Sequence, residues 1–112
     1  MSGGEVWADA SLAVPRAALP VDDVVSGAPT AGSVEVGRLG AVRFGVWEIT
    51  RGVVTDVEVD EVFVVLAGRG RVEFLAPAAP AIDLEAGTVV RLFAGARTRW
   101  VVDEPIRKVY AA

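Results

Sequence analysis

From Ser33 onward the chain alternates between short apolar runs and turn-forming residues. The runs are rich in Val, Phe, Trp and Thr, and each is closed by Gly, Pro or Asp. Runs of this length and composition predict β-strands, and no segment carries the long 3.6-residue period of an amphipathic helix. We predict an all-β domain with strands at Ser33–Val36, Val42–Thr50, Val53–Val59, Glu61–Ala67, Arg71–Leu75, Ala81–Leu84, Thr88–Phe93, Thr98–Val102 and Ile106–Tyr110.

The segment before these strands has a different character. Residues 1–32 are rich in Ala, Pro, Gly, Ser and Asp, and no hydrophobic period continues through them. We therefore expect an extended N-terminal arm over residues 1–32 and a β-barrel domain over residues 33–112. Within the barrel domain, Gly68 and Gly70 flank a single arginine, which predicts a hairpin turn at this point.

One predicted strand is apolar on both faces. Val62, Val64 and Leu66 lie on one side and Phe63 and Val65 on the other, whereas a half-buried strand alternates between apolar and polar residues. The second apolar face needs a cover, which is either another sheet of the same chain or a partner subunit. Because a chain of this size buries little core by itself, we predict a homodimer rather than a closed single-chain sandwich.

Composition excludes several classes of function. The 112 residues fit one domain, and their net charge of −4 gives no basic footprint for nucleic acid. The apolar run 62–67 is too short to span a bilayer, and no secretory signal precedes it, so we expect a cytoplasmic protein without membrane contact. With no cysteine and no histidine, the chain has no thiol nucleophile and no Ser-His-Asp triad.

Three segments resemble the motifs of cupin barrels. Residues 45–52 (GVWEITRG) with 60–68 (DEVFVVLAG) resemble the first cupin motif, and residues 84–100 (LEAGTVVRLFAGARTRW) resemble the second. The ending at residues 100–110 (WVVDEPIRKVY) is similar to that of the ureidoglycine aminohydrolase and ethanolamine-utilisation cupins. This resemblance implies a double-stranded β-helix, the jelly-roll barrel, which hosts many unrelated functions.

The same resemblance places the metal ligands of that family on unsuitable residues. Glu61 takes the position of the family's glutamate, but the paired histidines fall on Thr55 and Val57, or on Val54 and Asp56. The last histidine falls on Thr98, and Phe93 replaces a proline of the motif. First-row metals need three or four converging N, O or S donors, so we predict a metal-free domain without a cofactor.

Three further acids follow one another at a spacing of two. Asp56, Glu58 and Asp60 share one face of a regular strand, and Val57 and Val59 take the other. Unpaired carboxylates prefer water, so we interpret this face as the solvated outside of the barrel. A weak calcium or magnesium site is the alternative.

The candidate pocket is built around Glu61. Period-two counting places Glu61 on the face of Phe63, and the resemblance turns that face into the barrel. A desolvated carboxylate there is a candidate acid or base, or a structural group paired with an arginine or backbone donors. The predicted pocket residues are Trp47, Glu61, Phe63, Thr98, Trp100 and Tyr110, although the aromatic members alternatively only fill the core.

Four basic residues near the C-terminus are assigned to the surface. Arg97 and Arg99 alternate with the inward residues of their strand, and Arg107 and Lys108 follow Pro105. We expect these four side chains to form a solvated rim paired with Asp103 and Glu104, rather than a site for anions.

The sequence thus predicts a metal-free cupin that binds a small polar molecule or acts as an oligomeric accessory protein. The alternative is a small-molecule enzyme, similar to an aminohydrolase or an isomerase, that uses Glu61 with or without a divalent cation. Whether the domain is catalytic, and on which molecule, the sequence leaves open.

Overall fold

The computed structural model describes residues 3–112, and Met1 and Ser2 of the predicted arm lie outside them. The described part is almost entirely β-structure, as predicted. Its elements are β1 (Ala17–Ala18), a 3-10 turn (Val21–Asp23), β2 (Val24–Ser26), β3 (Thr30–Leu39), β4 (Val42–Ile49), β5 (Gly52–Val57), β6 (Glu61–Ala76), β7 (Ala79–Leu84), β8 (Val89–Leu92) and β9 (Arg97–Ala111). In this part of the chain no helix is long and apolar enough to cross a membrane.

Two long strands, β6 and β9, organise the sheet into a curled jelly roll. The first half of β9 pairs with β5 and with the second half of β6, and its second half pairs with β4 and with the first half of β6. The remaining strands extend both layers: β3 and β1 beyond β4, β2 beyond β5, and β7 and β8 beyond β6. All of these pairings are antiparallel. The fold is the predicted cupin-type β-barrel.

The predicted hairpin turn at Gly68–Gly70 is wrong. The chain continues through it as one strand, and the register of β6 against β9 shifts repeatedly between Val65 and Gly70. Gly68 has a φ of +97°, and a Cβ on this residue would lie 2.1 Å from the carbonyl oxygen of Pro105. The two glycines therefore bend one strand from the first layer into the second, because only glycine tolerates this conformation beside the crossing backbone.

The core lies between the two layers and follows the period of two along each strand. On β9, Thr98, Trp100 and Val102 are buried, and Ile106 continues the same phase after the bend. Trp100, Val102 and Ile106 belong to a core cluster that also includes Phe63 and Leu92. Inward alternation on the long strands thus fills the barrel.

The N-terminal segment lies along the barrel and contributes short elements to it. β1 pairs with β3, and β2 pairs with β5. The Trp7 ring packs on Phe44 with centroids 5.4 Å apart, and an Arg107 Nη1 donates to the carbonyl of Leu12 at 2.9 Å. These contacts hold the first part of the segment on the outer surface, and β3 begins at Thr30, inside the range assigned to the arm.

An apolar strip remains on the outside of β6 and its neighbour β8. Val62, Leu66 and Val89 are exposed, whereas Phe63 and Val65 on the opposite face of β6 are buried. The described part of the chain therefore leaves the outer face of this strand uncovered.

Candidate functional site

The barrel contains a small cavity of about 210 Å³. This is below the roughly 300–1,000 Å³ of pockets that hold drug-sized ligands, so it suits a small molecule. Its walls combine carboxylates with aromatic rings and one lysine. The lining residues are Leu19, Asp23, Ser33, Trp47, Ile49, Val54, Thr55, Asp56, Glu58, Glu61, Trp100, Lys108 and Tyr110.

An internal ion pair forms the floor of this cavity. Lys108 Nζ donates to Glu61 Oε2 at 2.6 Å, and the two side chains are only 6% and 11% exposed. The ammonium also lies over three rings, 4.2 Å from the centroid of Phe63, 4.6 Å from Trp47 and 4.9 Å from Trp100. Carboxylate and ring faces together stabilise the charged form of a desolvated amine.

The assignment of Lys108 to a solvated rim is therefore wrong. Lys108 stands two residues from Tyr110 and from Ile106, so all three share one phase of β9 and point to the same side. This shared phase could have predicted the inward position of Lys108, because Tyr110 is one of the predicted pocket residues. Glu61 is paired with this lysine rather than with an arginine.

Two of the other predicted rim residues, Arg99 and Arg107, pair with different partners, whereas Arg97 is exposed as expected. Arg107 pairs with Glu48 at 2.6 Å, and the second carboxylate oxygen of Glu48 accepts from Arg16 at 2.6 Å. Arg99 lies 3.8 Å from Glu73. The counter-ions are therefore glutamates on neighbouring strands rather than Asp103 and Glu104. The pairing of β9 with these strands places the arginines beside them.

Of the three acids predicted on the solvated outside, Asp56 and Asp60 are exposed, but Glu58 points inward. Glu58 is buried, at 7% exposure, and its Oε2 accepts from the Thr98 hydroxyl at 2.8 Å and from Trp100 Nε1 at 3.0 Å. Val57 and Val59 are exposed instead. Glu58 therefore leaves the predicted outer face, because it continues the phase of the buried Val54 and finds donors inside the barrel.

Asp56 and Asp60 separate from each other. Asp56 lines the cavity, where its partial burial, followed by the neighbouring Glu58 charge, raises its pKa to about 6. Asp60 is exposed and accepts from the Ala94 amide at 3.0 Å and from Arg91 at 3.2 Å. These bonds lower the pKa of Asp60 and place it outside the cavity.

Four of the six predicted pocket residues line the cavity. They are Trp47, Glu61, Trp100 and Tyr110. Phe63 lies behind the wall, under the Lys108 ammonium, and Thr98 is fully buried as a donor to Glu58. The Tyr110 ring passes over Gly45, where a Cβ would lie 2.3 Å from its hydroxyl, so this glycine makes room for the ring.

Sequence reasoning missed the part of the site supplied by the N-terminal segment. Leu19 and Asp23 lie at the cavity and come from within residues 1–32, and Ser33 follows directly after. Leu19 also packs against the main core. No local pattern indicates these positions, because they reach the cavity only through the pairing of β1 and β2 with the barrel.

The residues at the family's metal position do not fit a metal ion. The Glu61 carboxylate is engaged by the Lys108 ammonium, and the hydroxyl of Thr98 is donated to Glu58. Among residues 3–112, no three Asp, Glu, His or Cys side chains are grouped so that they could hold an ion. An ammonium 2.6 Å from the one family ligand that is present would also repel a metal ion placed at that carboxylate.

Comparison with known proteins supports the fold. A structure from Pseudomonas syringae pv. tomato, a protein with unknown function, superposes with a TM-score of 0.75 at 21% identity, covering 92% of this chain and 45% of that one. The Clostridium difficile EutQ protein gives a TM-score of 0.61 at 14% identity, with coverages of 74% and 61%. A putative ethanolamine utilization protein from Salmonella typhimurium gives 0.60 at 15% identity, with coverages of 85% and 76%.

The chain therefore corresponds to only part of the first two of these proteins, and identities this low carry the fold alone. A comparison with curated proteins found no match. Residues 36–110, which contain both predicted cupin motifs, match the EutQ-like cupin domain. The chain belongs to the EutQ-like cupin family.

Proposed function

We propose that this protein is a metal-free cupin that binds a small polar molecule in its barrel. The observation that carries the proposal is the Lys108–Glu61 pair. Its 2.6 Å contact takes up the carboxylate that a metal would need, yet the cavity above it stays open and lined with polar groups. A concave site with a few convergent polar groups and aromatic walls is the usual form of a small-ligand pocket.

A thermal-shift screen tests the proposal. Purine-catabolism intermediates, amino alcohols and sugars are added to the full chain, because a ligand that binds only the native state raises its melting temperature. Hits are compared with Trp47→Ala, which alters the cavity wall, and Trp7→Ala, which alters a tryptophan on the outer surface. Shifts that vanish in the first variant and persist in the second support binding in the barrel. Shifts that persist in both contradict it.

Metal analysis tests the absence of a bound ion separately. The protein is purified without chelators and its manganese, iron, nickel and zinc contents are measured. We expect contents far below one ion per chain. A stoichiometric ion would contradict the metal-free assignment and would require rearrangement of Lys108 around Glu61.

A catalytic role is the second candidate, and one observation favours it. Asp56 carries a pKa of about 6 beside Glu58 in the cavity, and a carboxyl group that titrates near neutrality suits proton transfer. Such an enzyme would resemble an aminohydrolase or an isomerase, with Glu61 held in its ion pair. Product formation by the native protein, lost in Asp56→Asn while ligand binding remains, would favour this candidate over simple binding.

The oligomeric accessory role depends on the outer face of β6. Val62, Leu66 and Val89 form an exposed apolar strip, here called the β6 strip. A second copy of the chain in a homodimer would remove this strip from water. Complete absence of ligand responses together with a stable dimer would favour the accessory role.

A further inference from the structure

We propose that the molecule bound in the barrel is a small organic cation, such as an alkylammonium group on a short aliphatic body. The inference rests on the proposed binding function and adds the charge of the ligand to it. Three features of the cavity support it: its balance of charges, the state of Glu58, and the aromatic wall.

The charge balance of the cavity is negative. Four carboxylates line it, from Asp23, Asp56, Glu58 and Glu61, and among the described lining residues Lys108 is the one cation. That single positive charge is committed to Glu61 at 2.6 Å. Three carboxyl groups therefore face the same small volume without a basic partner on its walls, which disfavours an anion.

The excess of negative charge extends to the buried part of the site, where Glu58 lies. This carboxylate is 7% exposed, lines the cavity, and accepts from two donors that are both neutral, the Thr98 hydroxyl and the Trp100 indole. A buried carboxylate is costly unless a counter-charge accompanies its hydrogen bonds. A cationic guest supplies that charge, and a neutral guest does not.

The aromatic wall favours an organic cation over a bare metal ion. Trp47, Trp100 and Tyr110 line the cavity together with the apolar side chains of Leu19, Ile49 and Val54. Ring faces attract ammonium groups, and the apolar contacts suit methylene carbons. The barrel already holds one ammonium in this manner, since the Lys108 Nζ lies within 5 Å of three ring centroids.

The experiment uses three probes of nearly equal size: butylammonium, 1-butanol and butanoate. Binding to the full chain at pH 7.5 is followed by saturation-transfer NMR and by titration. We expect butylammonium to bind about tenfold or more tightly than 1-butanol, which corresponds to roughly 1.4 kcal/mol, and butanoate to bind most weakly. Equal or tighter binding of the neutral or the anionic probe would overturn the charge assignment and leave the proposed pocket intact. Absence of binding by all three would contradict both.

Two cavity variants and one control locate the effect. Asp56→Asn and Glu58→Gln each remove one negative charge from the wall, and Asp103→Asn removes one from an exposed position on the outside of β9. We expect the first two to weaken butylammonium binding severalfold while leaving 1-butanol binding nearly unchanged, and the control to change neither. A loss of both probes in Glu58→Gln would indicate local damage, in which case Asp56→Asn decides. Unchanged butylammonium binding in Asp56→Asn would overturn the proposal.

The pH dependence supplies an independent readout. The charged groups that face Asp56 come from its own segment, from the 3-10 turn, from β6 and from β9, and they are Glu58, Asp22, Asp23, Glu61, Lys108 and Arg97. Protonation of the Asp56 carboxyl removes charge from the wall, so butylammonium affinity is expected to decline as the pH falls below about 6. Asp56→Asn is expected to flatten this decline. An affinity for the cation that rises toward low pH would contradict the inference.

Discussion

In the barrel interior Lys108 and Glu61 are joined at 2.6 Å, and both side chains are almost completely shielded from water. Their strands are paired at Phe63, two residues after Glu61, and Tyr110, two residues after Lys108. The pairing of β6 with β9 therefore brings together a carboxylate and an amine that lie 47 residues apart in the chain.

Removing one partner of this pair should strongly destabilise the protein. Glu61→Gln or Lys108→Met leaves the other charge buried without its counter-ion, which typically costs about 3–5 kcal/mol. The double variant should lose less than the sum of the single losses, as measured by urea unfolding. The matched control is the exposed pair Glu35 and Arg38, whose removal should change stability by less than about 1 kcal/mol. Additive losses at Glu61 and Lys108 would contradict the assigned coupling.

If the side chain of Lys108 is removed, an added amine should bind in the space that its ammonium occupied. Lys108→Ala removes the ammonium and leaves its carboxylate and ring partners in place, so added methylammonium should raise the melting temperature of this variant. Sodium chloride at the same concentration is the control for ionic strength. An equal response to both salts, or an equal response of the native protein, would show that the cage does not select an ammonium.

Stability should depend on pH through Asp56. Its pKa is about 6 in the folded chain against 3.8 as the ordinary value, so the folded state holds the proton more tightly than the unfolded chain does. Stability from this group is therefore fully present below about pH 4 and declines as the pH rises toward 6. Asp56→Asn should equal the native protein near pH 4 and exceed it above pH 6, by about 1 kcal/mol because solvent screens the partly exposed carboxyl. Melting curves recorded across this pH range test the prediction, with Asp103→Asn as the control. A gain in stability confined to low pH would contradict the assignment.

The bend of β6 should depend on Gly68. An alanine Cβ there would lie 2.1 Å from the Pro105 oxygen, whereas at Gly87, whose φ of +93° is nearly the same, no atom lies within 4 Å. The two positions share the cost of a positive φ, roughly 1–3 kcal/mol, and differ in the steric overlap. Gly68→Ala should therefore be clearly less stable than Gly87→Ala in thermal unfolding. Equal losses would show that the strand relaxes around the added methyl group.

The homodimer prediction can be tested on the β6 strip. Val62→Glu places a charge on the exposed strip, and Val59→Glu places the same charge on another exposed valine. If two copies associate through the strip, the first variant should run as a monomer in light scattering while the native chain and the second variant run as dimers. A monomeric native chain would contradict the prediction.

Much of the fold could be predicted from residue patterns because the patterns are local. Apolar alternation and turn residues located the segments of β3 to β9, although β6 and β9 were each predicted as two strands and β1 and β2 were missed. The inward phase of Thr98, Trp100 and Val102 is the one observed. The sequence did not show that the chain continues as one strand through Gly68. A glycine between two apolar runs is equally compatible with a turn and with a bulge. Which of the two forms depends on whether a second strand crosses at that point, and Pro105 is 37 positions further along the chain.

The candidate site could likewise be predicted only in part from the sequence. An all-β domain without histidine ligands follows from composition and from a period of two, and the resemblance to cupins adds that Glu61 points inward among aromatic residues. The inward positions of Lys108 and Glu58, and the contribution of Leu19 and Asp23 to the cavity, become visible only in the folded chain. The physical reason is that burial of a charge is decided by its partners, and the partners of these residues are supplied by strands distant in the sequence.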